Sequence, residues 1–233
     1  MNIVDIIIII FILLSGIVGA KRGVFKELIL CLGTILIFIL AYRLKNPLGD
    51  FFLLRFQMFD FPNLFKGVVT LNILLYQVLA FVIVLALLLI IFNLIIYITG
   101  IFEKILKATI ILGAVSKIIG FVVGLIEGYV ISFVILFFLC QPAFSFDTFM
   151  NSKIADTILN SSPILTNVTS DTVETFNYIY TLKDEKDTAK LNGEILDIML
   201  DKNLVTYETA YELYQRGKIQ FNGIENVLNK YQN

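Results

Sequence analysis

The chain has 233 residues, 58% of them apolar, with 18 basic and 19 acidic side chains and a formal net charge of −1. Its mean hydropathy of +0.87 exceeds what a solvated surface tolerates, because soluble domains run at roughly 45–50% apolar residues; much of the surface must face lipid. Histidine is absent, which removes the commonest metal ligand and the usual general base at neutral pH, so no metal site, cofactor or catalytic residue is expected and the chain reads as a protein that is not an enzyme.

The charge is divided unevenly. Residues 1–140 carry 10 Lys and Arg against 6 Asp and Glu, and residues 141–233 carry 8 against 13. Such a split marks a membrane part, with basic groups at lipid headgroups, followed by an acidic aqueous part with no affinity for nucleic acid. Cys31 and Cys140 both lie in apolar runs, so neither a disulfide framework nor a thiolate metal site follows from them.

Ile3 to Ala20 is long enough to cross about 30 Å of hydrocarbon as a helix. Asp5 stands before its apolar core and Lys21, Arg22 and Lys26 after it, the reverse of a cleaved signal peptide. It is therefore read as a retained span with its amino terminus outside. Lys21 to Glu27 is expected to be a hairpin bend, and its three basic groups place it in the cytoplasm by the positive-inside rule. The second span is Leu28 to Leu44. Pro47 to Lys66, which sets Phe51, Phe52, Phe56, Phe59, Phe61 and Phe65 among Asp50, Arg55 and Asp60, is expected to lie in the membrane interface.

The third span, Leu71 to Ile98, carries Asn72, Gln77 and Asn93 and reads as a tilted helix making polar contacts inside a bundle. Ile101 to Val115, with Glu103, Lys104 and Lys107, is a second candidate interfacial or re-entrant helix, and the fourth span is Ile118 to Leu139. The division that results is a four-helix membrane domain over 1–142 and a soluble, acidic, helical tail over 143–233, an all-α polytopic membrane protein. The first and third connections hold six basic residues against four in the second. Both termini then lie outside the cytoplasm.

The tail carries helix punctuation. Ser162 before Pro163 is a candidate N-cap and first-turn proline. Thr206 can cap Tyr207 to Arg216, Gly217 can end that helix, and Asn222 can cap a last one through Ile224, Val227, Leu228 and Tyr231. The simplest reading is a solvated appendage that packs on itself.

Two constellations point to function. Gly120, Gly124 and Gly128 stand four apart on one helical face, and Gly16 with Ala20, and Gly19 with Gly23, repeat the pattern in the first span. Glycine weakens a helix by up to about 1 kcal/mol relative to alanine, and close helix packing supplies the compensating reason. That packing is either internal to the bundle or the seam of an oligomer. Glu127 falls near the bilayer centre, where a carboxylate costs roughly 2.5–3.5 kcal/mol to insert, so it must face the bundle, either as a functional acid or hydrogen-bonded to Asn72, Gln77, Asn93 or a serine. Asp5 and Glu27 are expected near the membrane boundaries, within reach of water.

The order of Asp5, Gly19, Lys21, Arg22, Gly23, Phe25, Lys26 and Glu27, followed by Lys117, Gly120, Gly124 and Gly128, resembles the colicin V production protein family of bacterial inner-membrane proteins. The resemblance covers about 1–142, and Ser152 to Pro163 is similar to the tail of longer members. It implies a four-span protein connected with toxin production and envelope homeostasis, and no established reaction. In some relatives a similar membrane part precedes a serine protease domain outside the membrane; a tail without histidine excludes a protease of that His-dependent type. Two functions are expected in competition: a scaffold or accessory factor for export or envelope maintenance, acting through envelope partners or as a homo-oligomer, and a small oligomeric channel or transporter using Glu127.

Overall fold

The computed structural model describes residues 2–61, 65–99, 113–140 and 151–232. Among the described residues the long elements are all α-helices, joined by turns and irregular segments, in the order α1 (Ile3–Arg22), α2 (Val24–Arg55), α3 (Leu71–Thr99), α4 (Gly113–Leu139), α5 (Lys153–Ser161), α6 (Leu165–Thr181), α7 (Thr188–Asp201), α8 (Tyr207–Gln215) and α9 (Ile224–Lys230). Helices α1 to α4 are long and apolar enough to cross a membrane. Ile6, Ile7, Ile10 and Leu14 of α1 and Leu87, Ile90, Leu94 and Ile98 of α3 stand exposed, the surface that lipid requires.

The expected seven-residue bend between the first two spans is in fact a single residue. Gly23 has φ 80° and ψ 163°, and its N–H donates to the Gly19 carbonyl at 3.0 Å. That backbone conformation is open to glycine and strained for residues bearing a Cβ, so Arg22 still closes α1 while Val24 opens α2. The second helix also runs past Leu44 and through Pro47 to Arg55, so the first half of the expected interfacial segment is a continuation of α2. The expected helix over Ile101 to Val115 lies outside the described residues, apart from the first turn of α4 at Gly113.

The chain forms two compact units. The first draws on residues within 1–43, 83–139 and 147–168. Its core is the antiparallel crossing of α1 and α4. Phe38 of α2 meets Phe133 of α4 edge-on at 5.5 Å, and Tyr42 meets Phe137 at 6.1 Å. Gly33 of α2 lies against the ring of Phe92 in α3: a Cβ there would sit 2.3 Å from it. The tail enters this unit through α5. Asp5 Oδ1 accepts from the Ser152 hydroxyl at 2.5 Å and the Ile154 N–H at 3.1 Å, and the Ser152 Oγ accepts from Ala155 N–H at 3.1 Å. The start of α1 thus helps to cap the N-terminus of α5, whose first N–H groups have no partner within the helix. Asp5 is 1% exposed, not open to water as expected.

The second unit draws on residues within 44–82, 140–146 and 169–233. In it the tail helices pack around Phe176, Ile179, Leu191, Ile195, Leu196, Met199 and Leu213, all buried, and they also grip the connection between α2 and α3. Asn192 Oδ1 accepts from Thr70 N–H and Thr70 Oγ1, both at 3.0 Å, while its Nδ2 donates to the Gly67 and Thr188 carbonyls at 3.1 and 2.9 Å. Lys218 Nζ donates to the Leu53 and Phe56 carbonyls at 2.7 Å each, and Arg216 to that of Leu54 at 3.5 Å, so cations satisfy the orphan carbonyls at the C-terminus of α2. The reading of the tail as packing only on itself is corrected by these bonds. Its last helix is capped by Gly223, at φ 91°, in place of Asn222, while Thr206 caps α8 by accepting from Thr209 N–H.

Candidate functional site

At the crossing of α1 and α4 no side chain separates the backbones. A Cβ on Gly19 would lie 2.3 Å from the Gly120 carbonyl oxygen and 2.8 Å from the Gly124 Cα; one on Gly124 would lie 2.6 Å from the Ser15 carbonyl, and one on Gly120 2.6 Å from that of Gly19. Gly128 faces Ser15 and Ile12, and Gly16 takes the side chains of Leu125 and Phe121. The two small-residue faces therefore meet each other within one chain. The repeat is longer than its glycines: Ser116 stands four residues before Gly120 and Ser132 four after Gly128. Ser116 Oγ accepts from Val24 N–H at 3.1 Å, and Ser132 Oγ donates to the Gly128 carbonyl at 2.8 Å. That spacing was available in the sequence and signals both serines.

Three charged groups meet at this crossing. Arg22 Nη1 donates to Glu27 Oε2 at 3.3 Å and to Glu127 Oε2 at 3.2 Å. Arg22 comes from the last turn of α1, Glu27 from the first turn of α2 and Glu127 from midway along α4. The Glu27 side chain is fully buried, that of Glu127 is 10% exposed and that of Arg22 36%. The partner of Glu127 is thus an arginine, in place of the amides or serine expected. Asn72 bonds the Phe59 backbone, Gln77 accepts from Lys45 Nζ at 2.8 Å, and Asn93 donates to the Leu89 carbonyl of its own helix. Glu27 was expected within reach of water and is instead sealed in, because the one-residue break at Gly23 folds the first turn of α2 directly back onto α1.

The remaining residues of the motif lie apart from this cluster. Lys21 and Lys117 are exposed, Lys26 is half-buried, and Asp5 serves the cap of α5 at the opposite end of α1. Arg22 appeared in the sequence as one more headgroup-level cation, and nothing local distinguishes it from Lys21. Chemically, the cluster offers a guanidinium and two carboxyl groups in a largely dry crossing, suited to holding charge or a proton.

Comparison with curated proteins and with solved structures returned no match. The family described as "Colicin V production protein" matches residues 4–163, a stretch that takes in all four long apolar helices, the glycine crossing, the charged cluster and α5, and the chain therefore belongs to the colicin V production protein family.

Proposed function

We propose that this protein is an accessory factor or scaffold of the bacterial cytoplasmic membrane, serving toxin production or export or envelope homeostasis, and that it is not an enzyme. Both termini and the tail lie outside the cytoplasm in this reading. The observation that carries it is the tail's attachment: Asn192, Arg216 and Lys218 fasten the helices of the second unit to the end of α2 and the connection that follows. A folded body held at a membrane helix by satisfied buried polar groups suits presentation of a surface to a partner better than it suits a mobile linker. Family membership supports the setting, and the basic bend at Lys21, Arg22 and Lys26 supports the orientation.

The test is photo-crosslinking in native membranes from an exposed tail position such as Tyr211, 43% exposed. Discrete adducts with an envelope protein, or with a second copy, are expected. Recovery of the monomer alone under several chemistries contradicts the scaffold.

A second reading, a small oligomeric channel or transporter using Glu127, is favoured by the cluster of Arg22, Glu27 and Glu127 between apolar helices. Its oligomer would have to use surfaces other than the glycine faces, which are occupied within the chain. Reconstituted protein should then move an ion or solute and Glu127→Gln should alter that flux; no flux, or an unchanged one, removes this reading.

A further inference from the structure

Packing and ion pairing leave two features of the helix crossing unexplained. Glu27 Oε1 is buried and finds no hydrogen-bond donor. It points at the seam between α1 and α4, where a Cβ on Gly19 would lie 2.8 Å from it and one on Gly124 3.1 Å. A buried acceptor left unmatched is costly. The other feature is a charge imbalance: one guanidinium faces two carboxyl groups, both through the same Nη1. Because their Oε2 atoms share that single donor, at 3.3 and 3.2 Å, the two carboxyl groups stand side by side, close enough to bond to each other if one carries a proton. Two ionised carboxylates have only acceptors and cannot make that bond, and like charges so placed in a low dielectric repel strongly. The charged groups that face one another here are Arg22 from α1, Glu27 from α2 and Glu127 from α4, with the buried Cys31 thiol one turn after Glu27 along α2.

We propose that Glu27 and Glu127 form a hydron-binding pair, in which one proton is held between the two carboxyl groups while Arg22 neutralises the charge that remains. The proton comes from hydronium in the surrounding water, an O–H bond forming at one carboxylate as the O–H bond of hydronium breaks and leaves water behind. The carboxylic acid so formed donates to the other carboxylate, and the cluster becomes neutral: one positive guanidinium, one carboxylate, one acid. The inference is independent of the scaffold reading. It gives the crossing a ligand whose loss would leave an uncompensated carboxylate among three packed helices, at the one place where Gly19 and Gly124 leave no side chain to shield it.

Infrared difference spectroscopy on the full chain in lipid nanodiscs at pH 7, with ¹³C-labelled glutamate, tests this directly. A carboxylic-acid carbonyl band that shifts with the label and disappears in both Glu27→Gln and Glu127→Gln is expected. Absence of the band from the wild-type protein, or its persistence in both variants, overturns the proposal. Thermal unfolding gives a second arm. Each single glutamine variant should keep the wild-type melting temperature, because the carboxamide supplies the donor that the proton supplied, while the double variant, which strips Arg22 of both counterions, should melt lower than either. A single variant that melts as low as the double overturns the proposal. The infrared band reads the proton alone, so its outcome is separable from any success or failure in finding a partner by crosslinking.

Discussion

Gly19 and Gly193 are both helical glycines with opposite surroundings. A Cβ on Gly19 collides with backbone of α4, whereas on Gly193 of α7 it meets Phe221 at 3.7 Å and Val227 at 3.9 Å, ordinary contact. Gly19→Ala should therefore force the two helices apart and cost about 1–3 kcal/mol, the range for overpacking, while Gly193→Ala should gain about 0.5–1 kcal/mol from reduced chain entropy and helix propensity. Denaturant unfolding of the two variants in the same detergent checks the opposite signs. Arg22→Gln should cost about 2 kcal/mol by the same measurement, below the roughly 3–5 kcal/mol of a fully buried broken pair, because the guanidinium is 36% exposed and partly screened.

In the tail, the ammonium of Lys190, at 2.6 Å, with the N–H groups of Asp187 and Lys186, holds the Glu185 carboxyl down to about 2. Folding there lowers the group's affinity for protons, so its contribution to stability is complete above the ordinary carboxylate range and fades as the pH falls towards 2. Carbon-detected NMR of the full chain should place the Glu185 midpoint near 2, and Lys190→Met should return it towards the ordinary carboxylate range. At this scale, the glycine face of α4 was legible because four-residue spacing survives without context. The pairing of Arg22 with Glu127 was not, since those residues stand 105 apart and their meeting depends on the antiparallel register of two helices and the fold-back at Gly23.

Pro47 lies within α2 without ending it, although the second span was expected to close at Leu44 and a separate interfacial segment to begin at Pro47. Tertiary contact overrides that expectation: Lys45 is buried with its Nζ on Gln77, and beyond the proline Leu53 is fully buried and Phe52 packs beside Tyr76 at 6.4 Å. The helix end is then set by the tail. Lys218→Met should uncap the last carbonyls of α2, and Asn192→Ala should orphan the buried Thr70 N–H at a cost of about 1–3 kcal/mol. Hydrogen exchange should rise around residues 53–61 in the first variant and 67–72 in the second, with the helices of the first unit unchanged; protection like that of the wild type in both would show that these bonds do not hold the tail. Of the N-caps read in the tail, Thr206 holds, whereas Gly223 takes the place of Asn222 and Ser162 closes α5, its hydroxyl donating to the Ile158 carbonyl, without opening the helix that follows. The tail's fastening to the membrane helices was not legible, because Asn192 and Lys218 look like ordinary surface residues until the fold brings them to a helix end.

Over the whole molecule, hydropathy alone set the helical class and the number of long apolar helices, because a segment crossing lipid must satisfy its backbone internally and carry apolar side chains. Within the first unit, the bond between Asp5 and Ser152 returns the start of the tail to the start of α1, which an even number of crossings requires. The direction of those crossings rests on the basic residues around the first bend, a bias that charge counting reads without any packing. The decisive measurement is therefore the labelling of single cysteines by a membrane-impermeant thiol reagent, comparing Glu208→Cys in the tail with Lys21→Cys at the end of α1, in a background where Cys31 and Cys140 are replaced by serine or alanine. In intact cells, or spheroplasts if an outer membrane is present, position 208 should label at once and position 21 only after the cytoplasmic membrane is permeabilised. Labelling of position 21 from outside with position 208 protected would invert the bundle and contradict an outward-facing scaffold.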